Sequence, residues 1–383
     1  MDFELSEEQR LLQESIGRLL SDRYGFEQRT AYMKEPGGFS RALWKQYADL
    51  GLLALPFAEE DGGIGGGPVD IMIVMEAMGR ALVLEPYLAT VVLAGGVLRH
   101  AGSKQQRANI VPKIGDGSLI LALAHSERQS RYDLADVATS AKKDGVGYVF
   151  DGAKGIVLHG DSADKFIVSA RVAGKQRDRD GIGLFLVDAK AKGVSIRGYQ
   201  TIDGLRAAEV TLAGVKVGAE DVIGEPGKAL PVIERVVDEA MAALSAEAVG
   251  AMAVMHEATV DYLKTRRQFG VPIGNFQVLQ HAAVDILMAT EQARSMAMLA
   301  TMMAAEPNAV ERHKSIAAAK VQIGRSGRFV GKTATQLHGG IGMTMEYKVG
   351  HYFKRVMAID VLFGDADHHL ATLAKMGGLL TAA

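Results

Sequence analysis

The spacing of apolar residues changes twice along this chain, near residue 118 and again near Pro231. Up to residue 117, apolar residues recur at helical spacing, as in LLQESIGRLL (11–20), and Ser6 followed by Gln9 predicts a capping box at the start of this helix. From 118 to 228 the segments are short and partly alternating, as in GYVFDGAKGIVLHG, which is typical of an antiparallel sheet or barrel. Beyond Pro231 the pattern returns to long, alanine-rich helices. We therefore predict an α+β multidomain protein with an N-terminal helical domain (1–117), a middle antiparallel β domain (118–228) and a helical C-terminal domain (229–383), because 383 residues exceed one ordinary core.

Charge and residue usage exclude several classes of function. The formal net charge is −2, so no basic field favours nucleic acid or an anionic membrane surface. The chain has no cysteine, which excludes disulfides and thiolate chemistry and is compatible with the reducing cytoplasm in which we expect it. MDFELSEEQR lacks an apolar signal core and no apolar run is long enough to cross a bilayer, so we expect no membrane span.

Two local motifs suggest ligand sites but lack features that such sites need. The glycine-rich segment AEEDGGIGGGPVD (58–70) follows no predicted strand and precedes no Gly-Lys-Ser/Thr, so we interpret it as a connection and not a phosphate loop. Asp365, Asp367, His368 and His369 cluster, but adjacent histidines on one helix point in different directions. We predict no metal site, and we expect Asp365 to be the N-cap of the helix that follows.

Six segments, in order along more than 300 residues, resemble the FAD-dependent acyl-CoA dehydrogenase family. They are FELSEEQRLL, ALPFAEEDGGIG, YVFDGAKGIVLHGDSADKFIVSA, DGLRAAEVTLAGVKVGAEDVIGEPG, YLKTRRQFGVPIGNFQVLQH and TQLHGGIGMTMEY. The resemblance implies a helical N-terminal domain, a middle β domain and a C-terminal four-helix bundle. It also implies removal of an α-proton from an acyl-CoA thioester, with hydride transfer from the β-carbon to flavin N5.

The carboxylate base that this chemistry requires is missing from both of the family's usual positions. Most members carry a Glu in a Tyr-Glu-Gly-Thr motif. Counted from Glu346-Tyr347, that motif falls on residues 362–365 and places Phe363 where the base would be. A minority carry the Glu on the first long C-terminal helix, and that position is Ala240. The neighbouring Arg, which in the family helps to bind CoA, is replaced by Met241.

Three nearby carboxylates are possible substitutes for the base. Glu239 is one residue away from the helical position, which rotates its side chain by about 100°. Glu247 lies two turns further along, where a solvated or domain-facing role is expected. Asp365 is the remaining candidate, although it is shorter than Glu by one methylene and is expected to be a helix cap.

The resemblance divides the expected FAD contacts into a degenerate and an intact set. A Thr-Glu-Pro motif near the flavin falls on 126–128 and keeps only Glu127, while the Trp-Ile-Thr/Ser over the ring falls on Ile156-Val157-Leu158. Asp365 replaces a Thr near the pyrophosphate, where a carboxylate would repel phosphate. The contacts that a subunit donates to its neighbour's adenosine diphosphate moiety are matched, and we predict them as cofactor-binding residues: Arg266, Phe269, Gly270, Gln277, Gln336, Gly339 and Gly340.

This asymmetry suggests a subunit without its own base that completes the FAD site of a second acyl-CoA dehydrogenase-like subunit, as in the family's bacterial α2β2 heteromers. A tetramer is expected, with acyl-CoA bound mainly by the partner and electron-transfer flavoprotein as acceptor. Three alternatives stay open at this point. They are an active homotetramer that uses Asp365 as base, a cofactor-free structural or binding subunit, and an oxidase or monooxygenase of the wider family.

Overall fold

The computed structural model describes residues 4–377 and confirms the predicted order of helices, sheet and helices. The first helix begins at a capping box, as predicted: Ser6 Oγ accepts from Gln9 N (3.2 Å), and Gln9 Oε1 accepts from Ser6 N (3.1 Å). Six α-helices in this part precede the sheet: α1 (Glu7–Arg23), α2 (Phe26–Tyr32), α3 (Arg41–Asp49), α4 (Pro68–Ala81), α5 (Gly95–Ala101) and α6 (Lys104–Gly115). A π-helical segment, Leu88–Ala94, leads directly into α5.

The middle region is an eight-stranded sheet, with the order β6-β7-β3-β2-β4-β5-β8 and β1 paired to β4. Its strands are β1 (Leu121–Ala124), β2 (Ser140–Asp144), β3 (Gly147–Leu158), β4 (Lys165–Arg171), β5 (Ile182–Asp188), β6 (Val194–Gln200), β7 (Arg206–Val217) and β8 (Val222–Ile223). Most pairs are antiparallel, as predicted, but β1 pairs with β4 in parallel and β2 meets β4 through one parallel bridge.

Helices return after the sheet. They are α7 (Leu230–Thr265), α8 (Gln277–Met303), α9 (Ala309–His338), α10 (Lys348–Val361) and α11 (Ala366–Lys375), with the short hairpin β9 (Arg267–Gln268) and β10 (Val271–Pro272) between α7 and α8. Among the residues described, no helix is sufficiently long and apolar to cross a membrane.

The chain divides into two compact units, each with its own core. The sheet unit comprises residues 31–67 and 84–240. Its core contains Phe150, Phe166 and Phe185, all fully buried, with the rings of Phe150 and Phe185 4.8 Å apart in a T-shaped contact. Residues 58–67 of the glycine-rich segment belong to this unit. This part is packed closely, because a Cβ on Gly63 would lie 2.0 Å from the carbonyl oxygen of Phe57.

The bundle unit comprises residues 4–30, 68–83 and 241–377 within the described range. Helix α9 packs against α8, α10 and α11, and α1 packs against α4. Helices α4 and α7 approach closely at two glycines: a Cβ on Gly79 would lie 2.0 Å from the Glu247 carbonyl oxygen, and one on Gly250 would lie 2.1 Å from that of Glu76. The small residues of the helical segments therefore allow backbones to contact each other directly.

Candidate functional site

The two positions where the base was expected carry no proton acceptor. Ala240 is fully buried on α7. Phe363 lies half-buried in the turn between α10 and α11, and its backbone is left-handed with φ 59°. A bulky residue with this φ costs of order 1–3 kcal/mol, so the surrounding structure must hold the turn in place.

A buried lysine holds that turn. Lys320 of α9 is fully buried, and its Nζ donates to the carbonyl oxygens of Ile359 (2.5 Å) and Asp360 (3.2 Å) at the end of α10. Burial lowers the pKa of Lys320 to about 8. The Asp360 carboxylate accepts from Arg328 (2.9 Å) and from the backbone N–H of Ala366 (3.2 Å). Sequence analysis missed this network, since nothing local distinguishes Lys320 from the exposed lysines of other helices.

Asp365 is the N-cap of α11, as predicted. Its Oδ1 accepts from the backbone N–H of His368 at 2.8 Å. Asp365 is the only ionisable residue within two positions of Phe363 in the sequence, and one of its oxygens is engaged in this helix cap.

Glu239 lies among Arg99, His100 and Arg235 within the sheet unit. Its carboxylate accepts from Arg99 (2.8 Å), His100 (2.7 Å) and Arg235 (3.1 Å). Burial alone would raise the pKa of Glu239, but the hydrogen bond from His100 and the charge of Arg99 outweigh it and lower the pKa to about 2. A carboxylate with that pKa is a weak proton acceptor.

Glu247 is buried and not solvated, so that part of the prediction was wrong. Its two oxygens accept from Arg355 Nε (2.6 Å) and Nη2 (2.7 Å), and both residues are only 5% exposed. Arg355 is 108 residues further along the chain, so the pair could not be read from spacing. The bidentate contact occupies the carboxylate and joins α7 to α10.

Glu127, retained from the expected flavin-side motif, is the centre of a buried ionic cluster in the sheet unit. It accepts from Lys154 Nζ (2.7 Å) and from the backbone N–H groups of Ala138 (2.8 Å) and Thr139 (3.0 Å). Burial would raise the pKa of Glu127, but the charge of Lys154 and its hydrogen bond hold that pKa well below its usual range. Lys154 Nζ also donates to Ser169 Oγ (3.1 Å) and to the His125 carbonyl oxygen (3.1 Å), so its ammonium group is engaged within the sheet unit.

The backbone that follows Lys154 has an irregular conformation. The pairing of β3 with β7 shifts register between Lys154 and Val157, and between them Ile156 has a left-handed φ of 52° and is 59% exposed. The Gly155 N–H donates to the carbonyl oxygen of Ser126 at 2.9 Å, which ties the bulge to the Glu127 segment. The position of the family's flavin-side aromatic is therefore on the surface of the sheet unit, but it carries an aliphatic side chain.

The predicted adenosine-side residues lie at exposed positions of the bundle unit. Arg266, Gln277 and Gln336 are exposed, and within residues 4–377 their side chains form no hydrogen bond or ion pair. Gly339 has φ 62° and ψ −140°, and a Cβ on Gly339 or Gly340 would meet no atom within 4 Å among residues 4–377, chain neighbours apart. These two glycines therefore offer open backbone to a ligand.

Aromatic side chains lie near these exposed residues, which we call the edge of the bundle unit. Phe269 is 91% exposed with φ 52°, and its ring contacts that of Phe276 in a T-shaped arrangement at 6.2 Å. His338, which no pattern in the sequence distinguishes, is 2% exposed, and its ring contacts those of Tyr262 (4.6 Å) and Tyr347 (5.0 Å). The stack brings together the ends of α7 and α9, which carry the predicted residues.

The edge and the position of the missing base lie at opposite ends of α10. Tyr347 is the residue before its first turn, and Phe363 follows its last turn. A helix of 14 residues is about 21 Å long. The predicted adenosine-side residues therefore lie far from the position in the same subunit where a base would act.

The histidine that contacts Phe363 in the folded turn, His369, meets backbone and is not arranged as a metal ligand within the described residues. His369 Nε2 contacts the Phe363 carbonyl oxygen at 3.1 Å, and burial together with the charge of Lys320 lowers the pKa of His369 to about 3. Across residues 4–377, no group of three or more His, Cys, Asp or Glu side chains is arranged to hold a metal ion.

Three family models match nearly the whole chain. "Acyl-CoA dehydrogenase, N-terminal domain" matches residues 6–118, "Acyl-CoA dehydrogenase, middle domain" matches 122–215, and "Acyl-CoA dehydrogenase, C-terminal domain" matches 230–377. Among curated proteins, "Probable acyl-CoA dehydrogenase YngJ" of Bacillus subtilis is 27% identical, over 98% of this chain and 99% of its own.

Two solved structures combine high structural similarity with at least 25% identity. The steroid ACAD Tcur3481-Tcur3483, solved as a variant, is 29% identical with a TM-score of 0.86, and 97% of each chain is covered. The ChsE4-ChsE5 complex from Mycobacterium tuberculosis is 25% identical with a TM-score of 0.88, and 100% of each chain is covered.

Proposed function

Since the chain belongs to the acyl-CoA dehydrogenase family of FAD-dependent oxidoreductases, we propose that it is a subunit that completes the FAD site of a second, catalytic subunit. In this role it donates Arg266, Gln336 and the Gly339–Gly340 turn to the adenosine diphosphate moiety of the partner's cofactor. Bound FAD supplies the hydride acceptor for the α,β-dehydrogenation of an acyl-CoA thioester.

The observation that carries this proposal is the separation of an intact edge from a position that lacks its base. Arg266 is exposed and its guanidinium has no partner within the described residues, so its donors are available to a diphosphate. Phe363 and Ala240 cannot accept a proton, and each of the three nearby carboxylates is already engaged in contacts of its own. The residues present therefore fit the adenosine end of FAD and do not fit the catalytic end.

Two similar structures support a heteromer. Each is named for two different proteins, ChsE4 with ChsE5 and Tcur3481 with Tcur3483. We propose that this chain also assembles with a different chain, and that the assembly is a dimer of heterodimers. The acyl-CoA would bind mainly to the partner, because Met241 replaces the Arg that helps to bind CoA. Electron-transfer flavoprotein would accept electrons from the partner's flavin.

The second candidate is an active homotetramer in which Asp365 is the base. Within residues 4–377, only one of its oxygens accepts a hydrogen bond, from the N–H of His368, and the other accepts none. Replacing Asp365 by Asn preserves the cap acceptor and removes the base. The homotetramer would lose turnover, whereas the heteromer would retain it. A cofactor-free subunit, the third candidate, would show no flavin in any assembly.

The test measures flavin absorbance per chain in the protein purified alone and after co-expression with a catalytic acyl-CoA dehydrogenase-like subunit. We expect little flavin in the lone chain and about one FAD per pair after co-expression. Arg266→Ala should lower the flavin content of the pair, while Lys264→Ala, which removes an exposed charge two residues earlier, should not. A full complement of flavin in the lone chain, or an unaffected Arg266→Ala pair, would contradict the proposal.

A further inference from the structure

We propose that His338 is a positioning residue that holds the Arg266 turn and the Gly339–Gly340 turn in one arrangement before the partner's cofactor binds. The inference rests on the proposed function and extends it to a residue that would not touch the cofactor. His338 is 2% exposed, so it acts through its neighbours.

The ring of His338 joins three helices of the bundle unit. It is stacked on Tyr262, in the last turns of α7, at 4.6 Å between ring centroids and 28° between ring planes. It also contacts Tyr347, the residue before α10, at 5.0 Å and 46°. His338 is itself the last residue of α9. Contacts between aromatic rings of this kind contribute beyond the area they bury.

Each side of the stack is connected to a predicted adenosine-side group by backbone contacts. The Arg266 N–H donates to the Tyr262 carbonyl oxygen at 2.8 Å, and the Arg266 carbonyl oxygen accepts from Ile273 N at 2.8 Å. Where Tyr262 lies therefore determines where the Arg266 turn begins. On the other side, His338 directly precedes Gly339, whose N–H donates to the Gln336 carbonyl oxygen.

A neutral histidine combines two features at this position, namely flat ring faces and a hydrogen-bond donor. Its Nδ1 is 2.8 Å from the Ala334 carbonyl oxygen, so the tautomer with a proton on Nδ1 donates there and fixes the ring plane. Burial lowers the pKa of His338, which favours the neutral ring at pH 7. Leucine would fill the volume without flat faces, and phenylalanine would keep the faces without the donor.

The geometry also explains why no larger side chain could replace Gly342. A Cβ at that position would lie 2.8 Å from the Thr335 carbonyl oxygen and 3.0 Å from the Cβ of His338. The glycine-rich turn therefore lies directly against the last turn of α9, next to the Cβ of His338.

The experiment measures the dissociation constant of FAD for the reconstituted apo-complex of this chain with the catalytic subunit, by flavin fluorescence. We expect His338→Leu to weaken FAD binding about tenfold, which corresponds to about 1.4 kcal/mol. His338→Phe should restore most of the affinity, because the stacked faces remain. If His338→Leu fails to fold, Tyr262→Leu with Tyr262→Phe as its conservative control removes and restores the same stack from the other side.

A double-mutant cycle separates positioning from a general loss of stability. If His338 acts in part through Arg266, His338→Leu should weaken FAD binding less in the Arg266→Ala background than in the wild-type background, with the remaining loss due to the Gly339–Gly340 turn. Independent, additive losses would overturn the inference, as would wild-type affinity in both His338→Leu and Tyr262→Leu. Unaltered FAD binding in Arg266→Ala would instead refute the proposed function, so the two failures are distinguishable.

Discussion

Lys154 and Glu127 form an ion pair whose removal should show how the sheet unit is held together. Their side chains are 0% and 3% exposed, and Nζ to Oε1 is 2.7 Å. Replacing Lys154 by Met keeps a long side chain but leaves the carboxylate buried without its counter-charge. Breaking a buried pair in this way costs about 3–5 kcal/mol.

The contacts of Glu127 place the expected cost near the lower end of that range. After loss of the lysine, the carboxylate still accepts from the N–H groups of Ala138 and Thr139 and from Gln129 Nε2 at 2.8 Å. We therefore expect Lys154→Met to lower the free energy of unfolding by about 3 kcal/mol. The double variant with Glu127→Gln should recover part of this loss, because the amide removes the uncompensated buried charge. The recovery is incomplete, since the single amide oxygen can replace only one of the two carboxylate oxygens that accept from Ala138 N and Thr139 N.

The assay is urea denaturation followed by the fluorescence of Trp44, the single tryptophan of the chain. Trp44 is a suitable reporter because it lies in the sheet unit, is 2% exposed and donates to the Gly117 carbonyl oxygen at 3.1 Å. With a slope of about 3 kcal/mol per molar urea, the midpoint of Lys154→Met should fall by about 1 M. An unchanged midpoint, or a double variant as unstable as the sum of the single variants, would refute the reasoning.

The same pair has a predicted dependence on pH. Lys154 depresses the pKa of Glu127 below its unfolded value, so the carboxylate's contribution to stability is present above pH 4.5 and is lost as the pH falls through the folded pKa. The difference in midpoint between the wild-type protein and Lys154→Met should therefore narrow on acidification below pH 4.5. A difference that widens would show that another group controls the acid response.

Three further predictions concern the helices. Gly250→Ala should destabilise the bundle unit by about 1–3 kcal/mol in thermal unfolding followed by circular dichroism, because its Cβ would lie 2.1 Å from the Glu76 carbonyl oxygen. Gly17→Ala, where no atom lies within 4 Å of the Cβ, should stabilise α1 slightly and serves as the control. Asp365→Ala should cost about 1 kcal/mol through loss of the cap and Asp365→Asn much less, and equal costs would exclude a capping role. The contacts of Glu239 lower its pKa to about 2, so its carboxylate stabilises the fold above pH 4.5 and loses this effect as the pH falls towards 2. In urea titrations, the difference in unfolding free energy between the wild-type protein and Glu239→Gln should therefore shrink over this range. A constant difference would contradict this assignment.

Features whose causes lie within a few residues of one another could be predicted from the sequence. The capping box at Ser6 and the cap at Asp365 involve groups three residues apart, and both were predicted correctly. The order of helical and β regions followed from the period of apolar residues, which reflects burial on one face. The absence of an ionisable residue at Phe363 and Ala240 is a property of the sequence alone once the family motif is aligned.

Tertiary structure decided which polar side chains are buried and what they contact. Lys154 meets Glu127 across 27 residues, and Glu247 meets Arg355 across 108, while neither residue differs in local pattern from a solvated one. His338 likewise shows no distinguishing local pattern before its two glycines, and only the folded chain brings the rings of Tyr262 and Tyr347 into contact with it. Helix and turn signals arise from backbone geometry over about four residues, whereas charge pairing and ring stacking depend on how distant segments pack, which only the folded chain specifies.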